Sequence, residues 1–290
     1  MRLLNRSAGR LSRHRRGRVA GFLVMVIGLL LTGGLYAAFA PAQASQAESD
    51  AELVAQGREL FLVGCSFCHG QNGEGIKTVD GDAIGPSLAG VGAAAVAFQV
   101  GTGRMPMAQP GAQVPRKEVI YTEDEIAALA AYVATLGPGP AIPTEEDYLL
   151  DPDLTEEERQ EAITRGGELF LANCTACHNF NGSGGAMPRG GYAPSLKGVE
   201  PQYIYMAMLT GPQTMDNFSN GNIKPEDKAA IIAYLQSIED NPEYGGFGLG
   251  GLGPVSEGLF AWVVGIGGLV GFTIWIAAHT TRSTKEKVTT

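Results

Sequence analysis

Gly57-Arg-Glu-Leu-Phe-Leu-Val-Gly-Cys65-Ser-Phe-Cys68-His69 and Gly166-Gly-Glu-Leu-Phe-Leu-Ala-Asn-Cys174-Thr-Ala-Cys177-His178 are two copies of one stretch, 109 residues apart. The copying extends outward. Gly85-Pro-Ser-Leu-Ala-Gly-Val91 realigns with Ala193-Pro-Ser-Leu-Lys-Gly-Val199 at an offset of 108, and Tyr132 realigns with Tyr234 at 102. One unit of roughly 100 residues is therefore written twice. A chain of 290 residues has room for two domains that each bury a core.

Each copy reads as mostly helical with long loops. Ser49-Asp-Ala-Glu52 and Thr155-Glu-Glu-Glu158 are capping-box patterns, and each predicts the start of a helix that leads into its cysteine pair. Thr122-Glu-Asp-Glu125 opens a further helix with Ile126, Leu129, Val133 and Leu136 at helical spacing. Its counterpart starts near Pro225 and carries Ile231, Leu235 and Ile238. Gly-, Pro- and Asn-rich stretches, such as residues 81–86 and 179–194, separate cysteines from final helix. These marks divide the chain into a first domain (residues 48–140), a linker (141–154), a second domain (155–243) and a Gly-rich tether (244–257).

Cys-x-x-Cys-His is the attachment signature of c-type haem. Two thiols add to the vinyl groups of the porphyrin, and the adjoining histidine is placed to ligate iron. Cys65, Cys68, Cys174 and Cys177 are thus the predicted attachment residues for two covalently bound haems c, with His69 and His178 as iron ligands. A zinc site built from both cysteine pairs would not call for a histidine after each. A disulfide between cysteines three apart closes a tiny loop, and a thioredoxin-like dithiol expects a βαβ pattern that is absent.

The remaining histidines, His14 and His279, fall in the terminal flanks, so a distal ligand in either domain should be methionine. Met105 follows Pro86 by 19 residues and Met215 follows Pro194 by 21, and that parallel favours these two, with Met107 and Met187 in reserve. Met206 and Met208 lie on a predicted helix, where packing is the commoner role.

The ends have a different character. Residues 19–40 and 259–278 carry no charge, and a bilayer core of ~30 Å needs about 20 apolar helical residues. Seven arginines stand in residues 1–18, and Arg282, Lys285 and Lys287 follow the second segment. The positive-inside rule then puts a basic segment (1–18) and a tail (279–290) in the cytoplasm, two transmembrane helices at 19–40 and 258–278, and the haem domains outside. The first span also resembles a cleaved signal, with small-residue patterns at Ala38-Phe-Ala40 and Ala42-Gln-Ala44, though it is longer than an ordinary signal core. Gly267 and Gly271 would share a helix face on which another membrane helix could close up. The net charge is −9, and between the basic termini 29 acids stand against 11 bases. That balance argues against nucleic acid and for a basic or weakly charged partner.

Each repeat resembles a class I cytochrome c domain: helix, Cys-x-x-Cys-His, Pro-x-Leu loop, methionine loop, helix. Nearly the full chain, from basic N-terminus through Gly137-Pro-Gly-Pro140 to the C-terminal span, resembles the dihaem cytochrome c subunit of actinobacterial menaquinol–cytochrome c reductase, a bc1-type complex. The resemblance implies a mainly α fold of two tandem cytochrome c-like domains between N- and C-terminal transmembrane helices. It implies an electron-transfer subunit without a catalytic site of its own, working with a cytochrome b subunit and a Rieske iron–sulfur subunit and delivering electrons to an aa3-type oxidase. Arg189 and Tyr192 belong to the same likeness, as propionate partners or as loop-ordering residues. Other readings remain open: a dihaem subunit of a different membrane redox enzyme, an extracellular module held by zinc or disulfides, or a peroxidase.

Overall fold

The structure is a computed structural model that describes residues 17–108, 111, 113–187, 190–240 and 254–286. It is mainly α. Helix α1 (Arg18–Gly64) runs unbroken for 47 residues, from the apolar N-terminal segment into the first domain. Ser49 therefore lies inside a helix and opens none, contrary to the capping-box reading. The stretch after Pro41 is rich in Ala, Gln and Glu, which favour helix. Extending an existing helix also avoids the cost of a second nucleus.

The rest of the first domain comprises α2 (Ser66–His69), hairpin strands β1 (Ile76–Lys77) and β2 (Ala83–Gly85), α3 (Gly92–Gly101) and α4 (Glu123–Ala134). Thr122 caps α4 as the sequence predicts: its hydroxyl accepts from Glu125 N, and Glu125 Oε2 accepts from Thr122 N at 2.8 Å. A helical turn, α5 (Glu145–Tyr148), interrupts the linker and also starts on a capping box, at Thr144. The second domain repeats the plan with α6 (Glu156–Asn173), α7 (Thr175–His178), β3 (Gly185–Ala186), β4 (Tyr192–Ala193), α8 (Pro201–Thr210) and α9 (Pro225–Asp240). Thr155 carries the full capping box that opens α6. The two short antiparallel hairpins were not expected; the sequence there reads as loop.

One crossing organises each domain: α1 against α4, and α6 against α9. Glycine makes both possible. A Cβ on Gly57 would run into the Ala128 carbonyl and lie 2.9 Å from Tyr132 Cβ, and one on Gly166 would run into the Ala230 carbonyl. Beside the crossings sit the paired rings Phe61–Tyr132 and Phe170–Tyr234, with centroids 5.2 and 5.7 Å apart. The repeated Gly, Phe and Tyr of the sequence are thus one packing device used twice. Phe61, Leu129, Tyr132 and Val133 form the first core, and Phe170, Ile204, Met208, Ile231 and Leu235 belong to the second. Each fully buried Phe or Leu contributes roughly 1.5–3 kcal/mol.

A third cluster joins the domains. Ala94, Ala97 and Phe98 of α3 pack against Met206 of α8, and the Phe98 and Tyr203 rings meet edge-on at 6.4 Å. The alanines of α3 let α8 approach closely. At the C-terminus, α10 (Pro254–Phe260), a π-helical turn (Ala261–Ile266) and α11 (Gly267–Glu286) make a continuous helical rod. Its stretch Val255–His279 and the stretch Val19–Tyr36 of α1 are long and apolar enough to cross a membrane, and neither is covered by the other described residues. Most of the Gly-rich tether and the terminal Arg cluster lie outside the described residues, except Gly17 and Arg18.

Candidate functional site

In both domains the histidine is oriented by a proline carbonyl. His69 Nδ1 lies 2.8 Å from Pro86 O and His178 Nδ1 lies 3.0 Å from Pro194 O, so Nδ1–H donates and Nε2 is left with a lone pair for a metal. The repeated Pro-Ser-Leu element is the other half of that contact. Its position is fixed by matched backbone bonds, Leu88 N to Gly73 O and Leu196 N to Gly182 O, each 2.7 Å. The turn after the histidine is closed in the same way by Gly75 N to His69 O and Gly184 N to His178 O. That turn needs positive φ: Gly70 supplies it at +81° in the first domain, and Asn179 supplies it at +66° in the second, where Asn179 Nδ2 donates to Gly184 O.

Cys65 and Cys174 immediately precede the short helices α2 and α7, and Cys68 and Cys177 lie within them. Burial, reinforced by the neighbouring cysteine, pushes the Cys65 and Cys174 thiols up to about 11. Both are neutral thiols at physiological pH, the species whose S–H adds across a vinyl group. Burial also holds the His178 imidazole below its ordinary value, outweighing the opposing effect of its bond to Pro194, so it is the neutral, ligating form. Among the described residues, no three or more His, Cys, Asp or Glu side chains come together as a metal cluster.

The second site is a cavity of about 700 Å³, within the ~300–1,000 Å³ range of cofactor pockets. Cys174, Cys177, His178, Met187 and Met215 all line it, with Phe170, Ile204, Leu196 and Leu235 as apolar wall. Three thioethers are therefore present, because Met208 lines the cavity as well. Met215 packs on the second core, and Met187 lies beside hairpin strand β3. In the first domain Cys65 and Met105 border the same core cluster. Met107 is partly exposed, Met206 is a buried packing residue as expected for α8, and Met208 is buried in the second core where it also faces the cavity. The donor set, one neutral imidazole and a thioether in a largely apolar chamber beside two thiols, fits haem c.

Sequence reasoning missed the residues that close this cavity from the first domain. Gln113 Nε2 donates to Tyr192 O while Gln113 Oε1 accepts from Tyr192 N at 2.9 Å. Reciprocally, Gln213 Oε1 accepts from Val114 N at 3.0 Å and Gln213 Nε2 donates to Val114 O at 3.3 Å. Each glutamine pairs with a peptide of the other domain. Lone glutamines carry no motif, and only the fold reveals their role. The Tyr192 ring is exposed, so this residue acts through its backbone, and Arg189 lies outside the described residues.

Two crossed-helix domains, each with a Cys-x-x-Cys-His turn and a proline-tethered histidine, define a c-type cytochrome that binds haem c covalently and works in electron transport. The comparisons agree. Residues 54–137 match the cytochrome c family, and residues 161–235 match the family described as cytochrome C oxidase, cbb3-type, subunit III. The Corynebacterium efficiens cytochrome bc1 complex cytochrome c subunit is 44% identical, over 92% of this chain and 91% of that one. The Mycobacterium tuberculosis protein of the same name is 42% identical over 94% and 95%. A more distant relative, the cbb3-type cytochrome c oxidase subunit FixP of Bradyrhizobium diazoefficiens, is 25% identical over 72% and 70%. The chain belongs to the family of cytochrome bc1 complex cytochrome c subunits.

Proposed function

We propose that this chain is the dihaem electron relay of a quinol–cytochrome c reductase of the bc1 type, with Cys65, Cys68 and His69 holding one haem c and Cys174, Cys177 and His178 the other. The observation that carries the reading is the duplicated, equivalently bonded histidine–proline turn, complete in both domains. When bound, the haems supply a one-electron couple at iron. The protein's part is to hold each imidazole in the ligating tautomer, to offer Met105 and Met215 as the thioether ligands that favour ferrous iron, and to keep water from the porphyrin with its apolar cores. Nothing in the chain resembles a quinol site, so electrons enter from a Rieske iron–sulfur subunit beside cytochrome b and leave to an aa3-type oxidase. The haem domains face the extracytoplasmic side, anchored by the two apolar helices with both termini cytoplasmic. A Cβ added at Gly267 or Gly271 would meet nothing within 4 Å beyond their own helix among the described residues, so both are open for a partner membrane helix.

The test is purification of the full-length chain by an affinity tag from its native membrane. Denaturing mass analysis should show two haem additions, and a Rieske protein, a cytochrome b and a haem–copper oxidase should accompany it. A single haem, or a set of partners without a Rieske protein, refutes the assignment. A second reading, a dihaem subunit of another membrane redox enzyme, draws on the match of residues 161–235 to a cbb3-type oxidase subunit, and the same co-purification decides it.

A further inference from the structure

The wall of the second cavity contributed by the first domain contains a buried cation with no acid to answer it. Arg104 is 9% exposed and lines the cavity. One of its N–H groups donates to Thr102 Oγ1 at 2.7 Å, and Thr102, itself buried, is fixed by its bond to Phe98 O at 2.6 Å. The guanidinium also lies over the Phe98 ring, 4.9 Å from its centroid. Among the described residues no carboxylate pairs with it, and its other N–H groups meet no protein acceptor. Arg116 lines the same cavity, close enough to depress the Arg104 guanidinium further.

A buried, unpaired guanidinium is destabilising unless something anionic completes it. Among the described residues the only acid lining the chamber is Asp216, and Lys197 is the third cation there. Haem brings what is missing. Its vinyl edge is tethered at Cys174 and Cys177, and its two propionates project from another part of the macrocycle, so a different wall must meet them. A planar fork already held by Thr102 and Phe98 suits a carboxylate, which it can bind bidentately.

We propose that Arg104, supported by Arg116, binds a propionate of the second haem across the domain boundary, so that the first domain completes the cofactor site of the second. The inference rests on the second haem being present, as proposed above. It gives the paired glutamines a purpose: Gln113 and Gln213 hold Val114, Pro115 and Arg116 against the chamber they line. It also makes the residue next to Met105, the thioether of the first site, an electrostatic neighbour of the second haem.

The test is potentiometric titration of the purified full-length chain carrying Arg104→Gln, Arg104→Lys or Arg116→Gln. The second haem is identified as the one whose signals Met215→His displaces. Loss of a nearby cation disfavours the ferrous state. Arg104→Gln should keep two covalent haems and lower the potential of the second, up to about ten-fold in the reduced-to-oxidised ratio, or about 59 mV for a one-electron couple. Arg104→Lys should recover most of this, and Arg116→Gln should give a smaller fall in the same haem. If both potentials stay put, or only the first haem responds, Arg104 merely packs the interface or supports Met105, and the clamp is refuted. A wild-type protein with one haem by mass would instead overturn the dihaem reading and the clamp with it.

Discussion

The two repeats build the same haem turn from different scaffolds. In the first, the helix leading to Cys65 continues from a segment long and apolar enough to cross a membrane, with no break before the cysteine that ends it. In the second, α6 begins on its own capping box at Thr155 and stands as an independent element. The turn after the histidine is glycine in one and a self-bonding asparagine in the other. The second repeat also buries a lysine: Lys228 Nζ donates to Asn220 Oδ1 at 2.7 Å and to Ile223 O at 2.9 Å. What stays constant is the crossing of first and last helices and the proline-held histidine. The cofactor therefore constrains the crossing and the turn, while the approach to them is free to vary with where the domain is anchored.

The largest expected effect tests the constant part. Gly57→Val and Gly166→Val each force a side chain into a backbone carbonyl, well past the ~1–3 kcal/mol of ordinary overpacking. Each should abolish haem attachment in its own domain and leave the other domain loaded, as denaturing mass analysis would report. Loss of both haems from either variant would mean the domains do not fold separately.

Next come the thioethers. Met105→His and Met215→His should each keep covalent haem, remove one sulfur-to-iron charge-transfer band and drop one of two potentials, in a range that axial ligation spreads over about 0.8 V. Met187→Leu should change neither potential. Should Met187→Leu act and Met215→His not, the second site takes its ligand from beside the hairpin, and the two repeats differ at iron as well.

The interface is weaker. Gln113→Ala or Gln213→Ala leaves a backbone N–H and carbonyl of the opposite domain without partners, a loss of roughly 1–3 kcal/mol where these groups are shielded from water. In denaturant, the unfolding transitions of the two domains should move apart. Transitions that stay coincident would assign the domain coupling to the Phe98–Tyr203 contact alone.

The smallest effect contrasts the two helix starts. Thr155→Ala should destabilise the second domain by about 0.5–2 kcal/mol, while Ser49→Ala, mid-helix, should do nothing or stabilise slightly. The bond from the Thr155 hydroxyl and backbone holds the Glu158 carboxyl below its usual value. Its contribution is present above the unfolded pKa and is lost as pH falls through the lower folded one. Thr155→Ala removes the hydroxyl bond and keeps the backbone one, so it should weaken that acid-side dependence, and Ser49→Ala should leave it intact. Equal responses at Ser49 and Thr155 would show that α1 is in fact broken before the first domain.

The sequence by itself determined the duplication, the mainly α class, the two apolar ends and the two Cys-x-x-Cys-His motifs, because each is a local pattern with a local cause. The cysteine spacing matches a porphyrin edge, an uncharged run matches a bilayer, and a Thr-x-x-Glu box satisfies its own helix terminus. Tertiary structure alone decided where a pattern was overridden. Ser49 carries capping chemistry, but a helix arriving from upstream has no free N–H groups there to cap. It also decided the long-range pairings: Gln113 with Tyr192, Gln213 with Val114, Phe98 with Tyr203, and Arg104 with the second chamber. The two glutamine pairings join residues 79 and 99 positions apart, with no periodicity or motif between them. Their energies arise only when the two domains meet, so no window of sequence contains them.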